Sequence, residues 1–167
     1  MASPRRVSSV GLALVAGLLA GASLCAAAEE IPGYEWMGGK TEEGFASFVY
    51  GSPETVEDLL FWVICDMKHK STEMTVYEDN PGTKVGQAMT IELGAGSAKL
   101  PVKGKIETDG MSGFFFAKAM NFKVKPVIEL FKAEGKVTAT TGKVVTTLPE
   151  KGRAEALAQF AKACTLD

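Results

Sequence analysis

From residue 45 to residue 147 the chain is cut into strand-length apolar segments, most of them ended by glycine, proline, asparagine or aspartate. That punctuation constrains the fold more than any other feature, because short segments with regular turns build sandwiches or barrels. The expected strands are 45–50, 59–67, 73–78, 88–93, 100–106, 114–120, 122–124, 136–140 and 143–147. Gly51-Ser52-Pro53, Asp79-Asn80-Pro81-Gly82 and Gly94-Ala95-Gly96 supply three of the breaks. One segment reads two ways. Ser52-Pro53-Glu54 is a good helix start, and Val56, Leu59, Leu60, Val63, Ile64 and Met67 follow helical spacing. Against that, Phe61-Trp62-Val63-Ile64 favours sheet, and residues 59–65 are apolar on every side. The preferred reading is a turn at 52–55 and then a buried strand.

The two ends of the chain differ from its middle. Arg5 and Arg6 precede an apolar run over 10–22, and Ala26 and Ala28 occupy the small-residue positions of a cleavage site. This is the three-part pattern of a secretory signal peptide, so 1–28 is expected to be removed and the mature chain to start at Glu29, with no stable membrane span left. Residues 29–44, rich in glycine and holding Trp36, read as an N-terminal arm, and 45–167 as a single β-rich domain. At the other end Thr147-Leu148-Pro149-Glu150 fits a capping box. Ala154, Leu157, Ala158, Ala161 and Cys164 then recur at helical spacing, which predicts a terminal helix with Gly152 as its weak point. A shorter helix over 127–132 follows Pro126. Loss of Cys25 with the signal leaves Cys65 and Cys164, and an even count in an exported chain predicts one disulfide. The expected fold is mainly β: an antiparallel β-sandwich or barrel with a C-terminal α-helix tethered by that bond.

Tyr50-Gly51-Ser52-Pro53-Glu54-Thr55, the apolar run to Cys65 and the late Phe160…Cys164 together resemble a group of uncharacterised exported bacterial proteins, in which a Pro-Glu-Thr turn precedes a cysteine-bearing strand. A looser similarity, in signal, size and β content, is to invasion-associated locus B proteins. The resemblance implies a β-rich exported domain and carries no activity or site residues.

Charge and motifs exclude more than they assign. The full chain carries −2, and without Arg5 and Arg6 the balance becomes −4, which argues against a general nucleic-acid binder. Gly38-Gly39-Lys40-Thr41 lacks the earlier glycine of a phosphate-binding loop. Gly110-Met111-Ser112-Gly113 has Phe114 where a nucleophile elbow needs glycine. Pro81 stands where a calcium loop at Asp79 would need an oxygen ligand. Glu42/Glu43 and Glu57/Asp58 lie beside turns and read as solvated charges.

Three patterns retain chemical interest. If 59–67 is a strand, Cys65, Met67 and His69 share a parity. Their soft S/N ligand types suit copper, with Met74 joining across a hairpin. This competes with the disulfide for Cys65. Lys99, Lys103 and Lys105 share one strand parity, as do Lys123 and Lys125, opposite Leu100, Val102, Ile106, Phe122 and Val124. That predicts a lysine-bearing outer face able to meet an envelope protein or an anionic polymer. Phe114-Phe115-Phe116 cannot all face one core, so the strand is either covered on both sides, the preferred reading being by the terminal helix, or leaves a Phe in a contact patch. The functional expectation is a periplasmic or secreted, non-catalytic protein of binding or structural type, needing no cofactor. The alternatives are a copper binder through Met67 and His69, and a protein inhibitor of a secreted hydrolase, which would need a protruding loop.

Overall fold

The computed structural model describes residues 30–55 and 58–166, so the expected signal peptide and Glu57 lie outside the described residues. Nine strands form one antiparallel sheet: β1 (Glu35–Lys40), β2 (Ala46–Gly51), β3 (Leu59–Asp66), β4 (Ser71–Val76), β5 (Ala88–Ala95), β6 (Ala98–Thr108), β7 (Phe115–Met120), β8 (Val137–Thr141) and β9 (Val144–Leu148). Their order across the sheet is β1-β2-β3-β4-β7-β6-β5-β8-β9, and the sheet curls into a half-barrel. The expected mainly β fold with its terminal helix and disulfide is present, and of the two expected architectures, sandwich or barrel, the strands form one curled layer, a half-barrel. Helices α1 (Val124–Phe131) and α2 (Arg153–Ala163) contribute to the same hydrophobic core.

β3 settles the ambiguous segment. Phe61, Val63 and Cys65 are buried, whereas Leu60, Trp62 and Ile64 alternate with them and are only partly covered. A helix would scatter this two-residue period, and pairing with β2 on one side and β4 on the other fits the β-branched and aromatic run. Curvature needs room. At Gly104 in β6 an added Cβ would lie 2.4 Å from the Lys118 carbonyl oxygen, so only glycine permits so close an approach to β7.

The buried side holds a cluster of rings. Trp36 stacks on Phe48 at 4.5 Å, and Phe48 meets Phe131 of α1 at 5.2 Å and Phe160 of α2 at 5.8 Å. The indole Nε1 donates to the Pro149 carbonyl at 2.9 Å. Arg153 is buried without an ion-pair partner among the described residues. Its guanidinium donates to the carbonyls of Phe131 (3.1 Å), Ala133 and Pro149 (3.5 Å), satisfying the open end of α1 with a favourable charge. Burial holds its pKa below the ordinary arginine value, with Glu150 acting the other way.

The disulfide Cys65–Cys164 joins β3 to the end of α2, with the Cα atoms 5.8 Å apart and 99 residues of sequence separation. For a loop of that length chain entropy alone gives about 4.7 kcal/mol.

Four local expectations are corrected. The arm at 29–44 contains β1, in which Trp36 is buried. Its glycines have a packing role: a Cβ on Gly38 would lie 1.9 Å from the Ala156 carbonyl oxygen, so α2 rests directly on β1 backbone. The capping box does not form, because Thr147 belongs to β9. α2 starts instead from Gly152 at φ 78°, with no side-chain cap. Residues 122–124 are not a strand: Asn121 at φ 54° turns the chain off β7, and α1 begins at Val124 with Pro126 in its first turn, where a missing N–H costs nothing. Finally, α2 lies on β1 and β2 and does not cover the phenylalanine run.

Candidate functional site

The side of the sheet away from the helices carries the candidate site. On this convex face the register places Val49, Trp62, Thr75, Lys118 and Lys105 in one row across five strands. Lys118 and Lys105 are direct cross-strand neighbours, an arrangement that destabilises unless compensated. Glu73 compensates the first at 2.9 Å and Glu107 the second at 2.7 Å. The Trp62 indole also donates to Glu73 at 3.2 Å.

Next to this row lies an aromatic band. Trp62 and Tyr77 rings are 6.1 Å apart, Tyr77 and Phe116 5.0 Å, and Tyr77 and Phe114 6.2 Å. The expected cover over Phe114-Phe115-Phe116 is therefore absent on one side. Phe115 packs against the core, while Phe116 is half-buried in the band and Phe114 is 44% exposed.

The band runs into the turn joining β6 to β7, and Asp109 organises that turn. Its Oδ2 accepts the Tyr77 hydroxyl at 2.5 Å, and its Oδ1 accepts the Met111 N–H at 2.8 Å. Its carbonyl accepts the Gly113 N–H at 2.9 Å, and the Ser112 hydroxyl accepts the Phe114 N–H at 3.2 Å. The Tyr77 hydroxyl first, then the Met111 N–H and Ser112, lower the Asp109 pKa to about 2, and the Tyr77–Asp109 bond raises that of Tyr77. Behind the turn, Asp79 accepts the Phe115 N–H at 3.2 Å. At the apex of this hydrogen-bonded loop Met111 is 95% exposed. The Met111 N–H bond to Asp109 fixes the backbone from which this large apolar side chain projects.

The predicted lysine face assembles only in part. Lys103 and Lys105 are exposed on β6, as their parity requires, and Lys99 pairs with Glu92 at 2.8 Å. Lys123 and Lys125 sit instead at the start of α1, because the chain leaves the sheet at Asn121. Lys103 and Lys123 nevertheless line one cleft of about 370 Å³, together with Pro101, Met120, Phe122 and Pro126. No carboxylate among the described residues pairs with either lysine.

The copper set does not assemble. Cys65 is bonded to Cys164, β3 ends at Asp66, and Met67 packs against the core. His69 lies in an exposed turn with Nδ1 2.5 Å from Asp66. Met74 is fully buried opposite Val63, so it does not join His69 across the hairpin. The N–H groups of Lys68 and His69 also donate to Asp66. The His69 contacts lower the Asp66 pKa, its backbone N–H first.

Two larger clefts, of about 600 Å³ beside Tyr34 and Glu155 and about 1060 Å³ between Glu92 and Lys151, contain no serine, cysteine or histidine in their linings. Trp62, Tyr77 and Met111 are the site residues that sequence reading missed. The signal for the first two was parity: Trp62 on β3 and Tyr77, just past the end of β4, both fall on the solvent side. Comparison with protein families, curated proteins and solved structures finds no match.

Proposed function

We propose that this chain is an exported, non-catalytic binding protein that engages a protein partner through the aromatic band and the β6–β7 turn. The observation that carries the reading is Met111, 95% exposed at the apex of a turn fixed by Asp109 and Ser112. A convex surface with a projecting apolar knob fits a concave partner, and the cleft of a secreted hydrolase is one such partner, which gives the inhibitor alternative the protruding loop it needs. The disulfide and the expected signal at 1–28 support an oxidising compartment. Among the described residues no group of three or more His, Cys, Asp or Glu is arranged to hold a metal, and no helix is long and apolar enough to cross a membrane.

A photocrosslinking residue at position 111 of the exported chain tests this reading. It is expected to give one discrete adduct in the envelope fraction, removed by excess wild-type protein but not by Met111→Asp, and not formed from position 42. Equal labelling from both positions, or none, rejects the reading.

A second reading is favoured by the Lys103/Lys123 cleft: capture of an anionic polymer group, with Met120 and Phe122 as apolar walls. It predicts retention on an immobilised anionic polymer that weakens with salt and disappears in Lys103→Glu/Lys123→Glu.

A further inference from the structure

The two edges of the sheet are finished differently. β1 is held close under α2 at Gly38 and carries Glu35 and Lys40 at its ends. β9 pairs with β8 and, as the last strand in the order, has an open outer side among the described residues. The turn between them is Gly142-Lys143, with Gly142 at φ 61° in the first position of a two-residue hairpin. Such a hairpin closes on a hydrogen-bonded pair, here Thr141 and Val144, and the pattern then alternates. The N–H and C=O groups of Val145 and Thr147 therefore point away from β8. No hydrogen bond outside the β-ladder engages them among the described residues.

The edge also lacks the usual protection. Val144–Leu148 contains no charge and no proline, and Val145 is 59% exposed. We propose that two copies of the chain pair through β9, antiparallel about a two-fold axis at Thr146, joining their sheets into one.

The segment is complementary to itself in that register. Val145 of one copy lies opposite Thr147 of the other, and each such pair exchanges two backbone hydrogen bonds, so all four outward groups on each copy are satisfied. Val144 falls opposite Leu148, apolar against apolar on the concave side. Thr146 meets Thr146 on the axis, at the closer, non-hydrogen-bonded spacing of about 4.5 Å between Cα atoms. This self-match favours a second copy over an unrelated strand, and the pairing does not depend on the proposed binding face.

Sedimentation equilibrium of the purified oxidised protein over a concentration series tests the proposal. Wild type is expected to reach twice the chain mass and stop there. Val145→Pro removes only an outward N–H, and Val145→Lys puts a charge on the edge at an exposed position. Both are expected to sediment as monomers, with native circular dichroism verified for each. A wild type that stays monomeric at its highest soluble concentration overturns the proposal. So does a dimer that survives Val145→Lys, or growth of wild type beyond the dimer.

Discussion

The concave and convex faces of this sheet are made by the same strands, and the chain treats them oppositely. On the concave side Phe48, Phe61 and Val63 are fully buried, in a core to which α1, α2 and the disulfide contribute. On the convex side Trp62, Ile64 and Phe116, drawn from strands of the same core, stay partly open to solvent. The described residues form two helices, of 8 and 11 residues, and α2 lies on β1 and β2 while α1 lies over β5 and β6. Among the described residues, an apolar residue on the other face has only its neighbours for cover. The aromatic band is the result, with Phe114 and Met111 exposed at its margin.

The difference should be largest in stability. Phe48→Ala opens a cavity in the ring cluster and is expected to cost about 3–5 kcal/mol in denaturant unfolding. Phe116→Ala, losing only partial burial, is expected to cost about 1 kcal/mol. Equal losses would mean that the two faces contribute alike to folding.

A smaller effect separates glycines by what faces them. Gly38→Ala forces a methyl onto the Ala156 carbonyl and should cost about 1–3 kcal/mol by pushing α2 off β1. Gly110→Ala meets open space on the hairpin turn and should change stability by less than about 0.5 kcal/mol. A neutral Gly38→Ala would refute the direct seating of α2 on β1.

The smallest effect is a proton equilibrium on the convex face. The Asp109 pKa is lowered to about 2, with the Tyr77 hydroxyl the first cause. A depressed carboxyl stabilises the fold above its unfolded pKa, and that contribution is lost as pH falls from the ordinary range through about 2. Tyr77→Phe should move the Asp109 titration, followed by NMR, up toward ordinary values. It should also reduce the pH dependence of stability in that acid window. An unmoved titration would show that Tyr77 does not hold the turn.

Most strands were legible because alternation and turn residues are local. β2 to β9 fall on the expected segments, shifted by a residue or two at their ends. β1 was hidden because Gly38-Gly39 carries no strand propensity; it is a strand because Met37 pairs with Val49 and Gly38 with Phe48. The segment 122–124 alternates like a strand, yet the left-handed Asn121 and the anchor between Thr72 Oγ1 and the Phe122 carbonyl, at 2.7 Å, redirect it into α1. That redirection split the lysine face, so Lys123 reaches Lys103 across a cleft and not along a sheet surface.

By itself the sequence determined a β-rich chain with a terminal helix and one cysteine pair able to bridge, because strand period, turn chemistry and cysteine count are properties of neighbouring residues. Only the tertiary structure decided that the strands make one half-barrel, that the helices lie over a single face, and that Met111 and the aromatic band remain outside. Those outcomes depend on which distant surfaces meet, and a Trp at position 62 looks the same in the sequence whichever face of the sheet is covered.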